Sequence, residues 1–312
     1  MVNATGRLAP SPSGRLHIGH ARTFLVAWWR ARSQGARLVL RVEDLDAGRC
    51  SPEHVAGVIE DLRWLGLDWD GPWRLQSEGL AAIRERAQWL LERGLAYPCV
   101  CTRKEVASAQ SAPHGDEGPR YPGTCRGRWT SLAAARAETG REPALRLVVP
   151  PGPVEFVDEL HGARAIDVQA SVGDFPLLTR AGEPSYQLAV VVDDARDGVG
   201  EVVRGGDLLD VTARQVLLQR LLDLPTPRHA HVPLVLDAHG VRLAKRSAGL
   251  TLAELRGRGV APGRIVAAVA ASCGMAAGRA GSPGDFASSF RLADLPAGPC
   301  TFDAEEVSFH PA

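Results

Sequence analysis

The sequence predicts an α/β fold in which a Rossmann-like nucleotide-binding domain is divided by an inserted module. Two observations carry this prediction. Residues 6–42 have the pattern of a βαβ unit, and further strand and helix patterns follow after residue 180. A segment rich in cysteine, proline and glycine lies between the two halves, with little periodicity of its own. Doubly wound folds of this kind bind ligands outside the carboxyl ends of their strands, so the loops after those strands are the first place to look for chemistry.

The first βαβ unit begins with a short strand near residues 6–10 and a loop of proline, serine and glycine. A helix is predicted over 18–33, because an apolar pattern of helical period ends at Gly35, a common stop signal. The apolar run at 37–42 is typical of a second strand. The sequence therefore predicts strand, helix and strand in the order that a parallel sheet requires.

His17 and His20 stand at the start of this helix, in the motif His-Ile-Gly-His. The N-terminal end of a helix carries partial positive charge and unpaired N–H groups, which favour phosphate oxygens. Two imidazoles at that position therefore point to contacts with a nucleotide phosphate.

Further elements follow from local signals along the chain. Ser51 before a proline predicts a helix start, and Ser77 is predicted to cap a second helix that ends near Gly94. The continuous apolar run at 188–192 favours a buried parallel strand, and 231–236 another strand.

The predicted domain organisation has four parts. They are a first half of the Rossmann-like domain (1–96), an inserted module (97–180), a second half with a lysine loop (181–250) and a short helical C-terminal segment (251–312).

Composition excludes several classes of protein. Lys+Arg and Asp+Glu are both 36 in a chain of 312 residues, so the chain does not have the strongly basic balance of a protein that coats nucleic acid. Any RNA contact must use a local patch. No apolar stretch is long enough for a membrane span and no signal-peptide core is present, which predicts a cytoplasmic protein with no membrane partner.

Three of the six cysteines form a cluster with metal-ligand spacing. Cys99, Cys101 and Cys125, with Tyr121, offer three thiols and a phenol in a segment that is otherwise short of a core. One structural zinc ion per chain is the prediction, with His114 as a rival to Tyr121 for the fourth ligand. The other three cysteines are expected to be ordinary thiols.

Six stretches, in this order along the chain, together resemble the class I glutamyl-tRNA synthetases. They are Arg7 to Gly14, His17 to His20, Arg41 to Asp46, Ser185 to Ala189, Val203 to Leu208 and Arg242 to Arg246. The last stretch departs from the lysine motif of the family, because Ala244 stands where the motif has a serine. The cysteine and tyrosine spacing is similar to a zinc pattern found in part of the same family. The resemblance therefore implies that the divided domain is catalytic and that the inserted module is zinc-binding and of the acceptor type.

The resemblance implies an enzyme, a ligase that joins L-glutamate to RNA through glutamyl-adenylate. In this reaction the glutamate carboxylate attacks the α-phosphorus of ATP, which is expected to carry Mg²⁺, so alignment and charge neutralisation are the main demands on the protein. The implied catalytic residues are His17, His20 and Lys245. Those same residues and Gly19 are implied to bind ATP, and the implied glutamate-binding residues are Arg7, Ser11, Glu43, Tyr186 and Arg204.

The number of residues after the lysine motif indicates which RNA accepts the glutamyl group. Residues 247–312 are too few for the anticodon-binding domain that follows the lysine motif in charging enzymes. Within the family, such shortening goes with tRNA-independent glutamate activation and transfer to the base queuosine in the anticodon loop of tRNA(Asp). The expected protein is a monomer whose partners are L-glutamate, ATP and queuosine-containing tRNA(Asp).

Three alternatives stay open at this point. One is a glutamyl-tRNA(Glu) synthetase without its anticodon domain, and another is a non-catalytic tRNA-binding relative. The third is a different ligase with the same histidine motif, such as a cysteine ligase.

Overall fold

The computed structural model describes residues 4–108, 120–237, 240–241, 243 and 250–311. Among these residues the helices are α1 (Ile18–Ser33), α2 (Pro52–Trp64), α3 (Leu80–Glu92), α4 (Arg103–Ser108), α5 (Leu132–Thr139), α6 (Val168–Ser171), α7 (Tyr186–Arg196), α8 (Thr212–Leu221), α9 (Leu252–Gly257), α10 (Pro262–Ser272) and α11 (Pro283–Ala287). The strands are β1 (Gly6–Leu8), β2 (Leu38–Val42), β3 (Arg74–Leu75), β4 (Ala96–Cys99), β5 (Ala144–Leu147), β6 (Pro153–Asp158), β7 (Gly162–Asp167), β8 (Pro176–Leu178), β9 (Glu201–Gly205), β10 (Arg228–Val232), β11 (Val235–Leu236), β12 (Cys300–Asp303) and β13 (Ser308–Pro311).

A mostly parallel sheet forms the centre of the molecule. Strands β1, β2 and β3 pair in parallel, and so do β9, β10 and β6, with β7 antiparallel at the outer edge. A parallel bridge between Thr5 and Val199 joins the two groups at β1 and β9. The resulting order, β7-β6-β10-β9-β1-β2-β3, places β1 and β9 side by side. The predicted α/β fold is confirmed.

Helix α1 has the predicted bounds, and its packing explains why the sequence forms it. Leu25 and Trp29 lie on its buried face, and both are fully buried in the largest hydrophobic cluster. The chain leaves the helix through Gly35, whose φ of 60° lies in the left-handed region that favours glycine. Helix α2 also begins as predicted, because the Ser51 hydroxyl accepts a hydrogen bond from the backbone N–H of His54.

The predicted strand at 188–192 is wrong, since these residues lie within helix α7. Ser185 caps this helix, with its hydroxyl accepting from the N–H of Leu188. The apolar run is buried along its whole length, between helices α3 and α8. A helix that is buried all round shows no polar face, so a short apolar run cannot distinguish it from a buried strand.

Ser77 does not cap helix α3, contrary to the prediction. It lies in a 3₁₀ turn at Gln76–Gly79, and α3 begins at Leu80. Both the hydroxyl and the backbone N–H of Ser77 donate to the carboxylate of Asp44, at 2.6 and 2.8 Å. This pair ties the loop after β2 to the start of α3.

The C-terminal segment is only partly helical, which corrects the predicted helical segment. Helices α9 to α11 are followed by the antiparallel pair β12 and β13, and β12 pairs with β11. Phe302 and Val307 are buried in the same cluster as helix α1. This segment therefore packs into the catalytic body.

The region predicted as an inserted module divides between two sheets. Strands β4, β5 and β8 form a separate antiparallel sheet, whereas β6 pairs with β10 of the central sheet. The four domain boundaries stay predictions. No helix within the described ranges is long and apolar enough to span a membrane.

Candidate active site

The start of helix α1 is organised by its two histidines. The backbone N–H of Gly19 donates to Nδ1 of His17 (3.1 Å), and the N–H of His17 donates to Nδ1 of His20 (3.2 Å). The two rings stack with centroids 3.7 Å apart. Because Nδ1 accepts in each ring, the neutral tautomer carries its proton on Nε2. That tautomer presents an N–H donor, the polarity that a phosphate oxygen needs.

Gly19 makes this arrangement possible by its lack of a side chain. A Cβ atom at this position would lie 3.0 Å from Cε1 of His17 and 3.1 Å from its Nδ1. Any larger residue would therefore push the His17 ring away from the helix start.

Lys245, the third residue predicted to contact phosphate, lies outside the described residues, as do Ala244 and Arg246. The chain is described again from Leu250, whose carbonyl accepts from the N–H of Ile18 (3.0 Å). The N–H of Leu252 donates to the carbonyl of Leu16 (2.9 Å). The segment after the predicted lysine motif thus lies against the start of α1.

Four of the five predicted glutamate-binding residues lie close enough to interact electrostatically, and we call this group the pocket: Arg7, Glu43, Tyr186 and Arg204. Arg7 and Arg204 lie on neighbouring strands and are both buried. Nη1 of Arg7 donates to the carbonyl of Val203 (3.0 Å), and Nη1 of Arg204 donates to the Tyr186 hydroxyl (3.5 Å). The pocket therefore holds two buried guanidiniums, a group that forms strong paired hydrogen bonds with carboxylates.

Glu43 supplies negative charge to the same pocket. Its backbone N–H donates to the carbonyl of Pro10 (2.9 Å), and its carboxylate lies 3.2 Å from Nη2 of Arg41. Burial raises the pKa of Glu43, while the charges of Arg41 and Arg7 oppose this shift. Ser11, the fifth predicted residue, is exposed on the loop after β1 and pairs with the hydroxyl of Ser13 (3.1 Å).

Asp194 is a central residue of the pocket to which the sequence assigned no role. Its carboxylate accepts from Nη2 of Arg41 (2.6 Å) and lies 3.8 Å from Nε of Arg7. Burial acts against ionisation, but these two guanidiniums hold the pKa of Asp194 below its usual value. The sequence signal for Asp194 was its position, because Asp193 and Asp194 directly follow the apolar run at 188–192.

A second group of unpredicted residues surrounds the guanidinium of Arg204. Nη1 donates to Oε1 of Gln215 (2.8 Å), Nη2 to Oγ1 of Thr212 (2.7 Å) and Nε to Nε2 of His231 (2.9 Å). All three partners are buried. They come from helix α8 and strand β10, so no local sequence pattern around Arg204 predicts these partners.

The predicted cysteine cluster is also assembled. The Sγ atoms of Cys99, Cys101 and Cys125 all lie within 4.8 Å of one another. The Tyr121 hydroxyl is 3.3 Å from Sγ of Cys99 and accepts from the backbone N–H of Cys125 at 2.9 Å. A tetrahedral zinc with Zn–S bonds of about 2.3 Å holds its sulfurs about 3.8 Å apart, so the thiols could hold such an ion. His114 lies outside the described residues.

Arg146 and Gly173 support this cluster. The guanidinium of Arg146 stacks 4.0 Å above the Tyr121 ring and donates to Sγ of Cys99 (3.2 Å), so a positive charge faces the potential ligands. Tyr121 forms a parallel bridge with Gly173, where a Cβ atom would lie 2.5 Å from the Tyr121 carbonyl. Glycine is therefore required for the tyrosine to approach.

Comparisons with known proteins agree with this architecture. The model for tRNA synthetases class I (E and Q), catalytic domain, matches residues 3–280. The chain belongs to this family. Its curated relatives include a glutamyl-Q tRNA(Asp) synthetase from Symbiobacterium thermophilum, 44% identical over 97% of each chain. A protein of the same name from Nocardia farcinica is 47% identical over 88% of this chain and 86% of its own.

A solved structure of a related protein has the same fold as this chain. A glutamate tRNA ligase from Elizabethkingia meningosepticum aligns with a TM-score of 0.80 and 24% identity, over 97% of this chain and 68% of its own. The predicted family and the ligase class are confirmed. The individual roles of the site residues stay predictions.

Proposed function

We propose that the enzyme activates L-glutamate with ATP, without tRNA, and then transfers the glutamyl group to the queuosine base in the anticodon loop of tRNA(Asp). The observation that carries the first half is that the buried guanidiniums of Arg7 and Arg204 lie in one group with the carboxylate of Glu43. In this assignment His17, His20, Gly19 and Lys245 bind ATP with its Mg²⁺. Arg7, Ser11, Glu43, Tyr186 and Arg204 bind glutamate.

The charges of the pocket match those of glutamate. Arg204 receives the side-chain carboxylate, and the Glu43 carboxylate receives the α-ammonium. A guanidinium in a fixed orientation rewards a carboxylate over the neutral amide of glutamine, because the charged hydrogen bonds are stronger. The α-carboxylate is already ionised at neutral pH, so the enzyme needs no general base to create the nucleophile.

The imidazoles of His17 and His20 and the N-terminal end of α1 are assigned to the second requirement of the reaction, which is to neutralise charge on the phosphates of ATP. Negative charge builds on the phosphates as pyrophosphate leaves, and donors held in place lower that barrier without reorganising. The N–H of Nε2 in each histidine and the positive end of the helix act in this way. Lys245 is assigned to the leaving pyrophosphate.

The acceptor is inferred from the curated relatives, which carry the name glutamyl-Q tRNA(Asp) synthetase across nearly the full length of this chain. An anticodon loop presents unstacked bases, the form in which RNA is usually read specifically. ATP and tRNA as substrates support a cytoplasmic enzyme, and we expect it to act as a monomer.

Labelled glutamate distinguishes this function from ordinary tRNA charging. We expect the purified protein to label tRNA(Asp) that contains queuosine and to leave the same tRNA without the modification unlabelled. The measurement is acid-precipitable glutamate after incubation with ATP. Labelling of tRNA(Glu), or equal labelling of both forms of tRNA(Asp), would contradict the proposed acceptor.

We also propose that Cys99, Cys101, Tyr121 and Cys125 hold one structural zinc ion. The thiol geometry fits tetrahedral coordination, and this small module has few other buried residues to stabilise it. Arg146 would offset part of the negative charge of three thiolates.

Zinc content tests this proposal. We expect one zinc per chain by atomic emission, and loss of the metal with a lower melting temperature in Cys101→Ser. Cys50→Ser is the matched control, because Cys50 is equally half-buried but outside the cluster. A wild-type protein without metal, or Cys101→Ser with full zinc content, would refute the site.

A further inference from the structure

Asp158, His231 and Arg204 lie on the neighbouring strands β6, β10 and β9, and side-chain hydrogen bonds join them into one row, although the register partner of Asp158 is His229. Strand β10 lies between β6 and β9, and His231 is the direct register partner of Arg204. Paired residues of parallel strands point to the same face of the sheet. Asp158 ends β6, and its Oδ2 lies 2.6 Å from Nδ1 of His231. The row runs from Asp158 through His231 to Arg204, which belongs to the pocket.

The hydrogen bonds of this row define the tautomer of His231. A guanidinium can only donate, so the 2.9 Å contact from Nε of Arg204 requires that Nε2 of His231 accept. The imidazole proton therefore lies on Nδ1 and is donated to Asp158. An imidazole with the opposite tautomer would present an N–H to another N–H.

Burial keeps this ring neutral. His231 is completely buried and Asp158 is 1% exposed. Burial lowers the pKa of His231, and the Asp158 carboxylate opposes this shift without cancelling it. The charge of Arg204 also disfavours a second proton on the ring.

The remaining contacts of Arg204 show what this orientation achieves. Gln215 and Thr212 accept from Nη1 and Nη2 at 2.8 and 2.7 Å, and the Leu208 carbonyl accepts from Nη2 at 3.3 Å. The contact from Nη1 to Tyr186 is the longest at 3.5 Å. Tyr186 is 37% exposed, so this edge of the guanidinium is the one that faces the pocket opening. A substrate carboxylate would replace the long contact and leave the short ones intact.

We infer that Asp158 and His231 are positioning residues that hold Arg204 in the orientation that selects the glutamate side chain. This inference rests on the proposed function, since it deepens the assignment of Arg204 to the substrate carboxylate. Asp158 and His231 act through Arg204 and do not themselves touch the substrate.

Substitutions of His231 test the inference in glutamate-dependent ATP–pyrophosphate exchange. His231→Leu removes the acceptor, and we expect the KM for glutamate to rise roughly 10- to 100-fold, the loss typical of one hydrogen bond to a charged group. The KM for ATP should change by less than about twofold. His231→Gln supplies an amide oxygen as acceptor and should recover most of the affinity for glutamate.

Asp158→Asn tests the tautomer separately. The amide oxygen can still accept from the backbone N–H groups of Leu160 and His161, which Oδ1 receives at 3.0 Å. Its NH₂ group then faces Nδ1 of His231, which must accept, so the ring proton moves to Nε2 and meets the N–H of Arg204. We expect the KM for glutamate to rise as in His231→Leu, with weaker discrimination against glutamine.

His229→Leu is the matched control. His229 lies on the same strand, is 2% exposed and stacks 6.2 Å from His231, but within the described residues its ring makes no hydrogen bond to Arg204. We expect its KM for glutamate to stay within about twofold of wild type. Unchanged glutamate KM in His231→Leu, with active wild type, would overturn the inference alone. A wild-type protein that does not activate glutamate would instead overturn the proposed function.

Discussion

Replacing His17 with alanine is expected to slow glutamate-dependent ATP–pyrophosphate exchange by about 10²- to 10³-fold, the usual cost of one donor to a developing negative charge. The same change removes the helix cap, because Nδ1 of His17 accepts from the N–H of Gly19. Loss of a cap destabilises a protein by about 1 kcal/mol. A fall in rate could therefore have either cause, and a second variant is needed to separate them.

His17→Asn provides that separation. Asparagine is among the best N-cap residues, so the free energy of unfolding in urea should stay near that of wild type. The amide does not replace the imidazole Nε2 as a phosphate donor, and the exchange rate should be as slow as in His17→Ala. Restored exchange in His17→Asn would mean that His17 acts only through the helix start.

Asp194→Asn is expected to destabilise the protein by about 3 kcal/mol, at the lower end of the cost of breaking a buried ion pair. The substitution removes the charge that faces two buried guanidiniums, Arg41 and Arg7. Arg41 retains the carboxylates of Asp197 and Glu43, at 2.8 and 3.2 Å, which limits the loss. Arg7 has no comparable second carboxylate bond within the part of the chain that the structure describes.

Glutamate binding should fall together with stability in Asp194→Asn. Without Asp194, we expect the carboxylate of Glu43 to be drawn toward Arg7 and Arg41 and away from the α-ammonium that we propose it binds. Urea unfolding and isothermal titration with glutamate measure the two effects. Glu142→Gln is the control, since its pair with Arg136 at 2.6 Å is exposed and should contribute no more than about 1 kcal/mol. Equal stability changes in the two variants would contradict the role of Asp194.

Local signals predicted the elements that depend on neighbouring residues. Helix α1 was correct at both ends, because its apolar period, its histidine start and Gly35 all lie within one short stretch. The cap at Ser51 was correct for the same reason. Ser77 shows the limit of such signals, since its hydroxyl pairs with Asp44 across the fold.

The order of motifs along the chain predicted the family and grouped four side chains that the structure brings together, whose roles stay predictions. Arg7, Glu43, Tyr186 and Arg204 are far apart in sequence, and only the resemblance connected them before the structure was known. Spacing typical of metal ligands grouped the three cysteines with Tyr121, and the structure brings their side chains together.

The sequence by itself determined the family, the start of helix α1 and the positions of the charged groups. Only the tertiary structure decided how those charges are paired. Asp194 on helix α7 meets Arg41 on strand β2 although 153 positions separate them, and Asp158 reaches His231 because β6 pairs with β10. The physical reason is that burial makes each unpaired charge costly, so partners are chosen by packing between distant segments and not by local pattern.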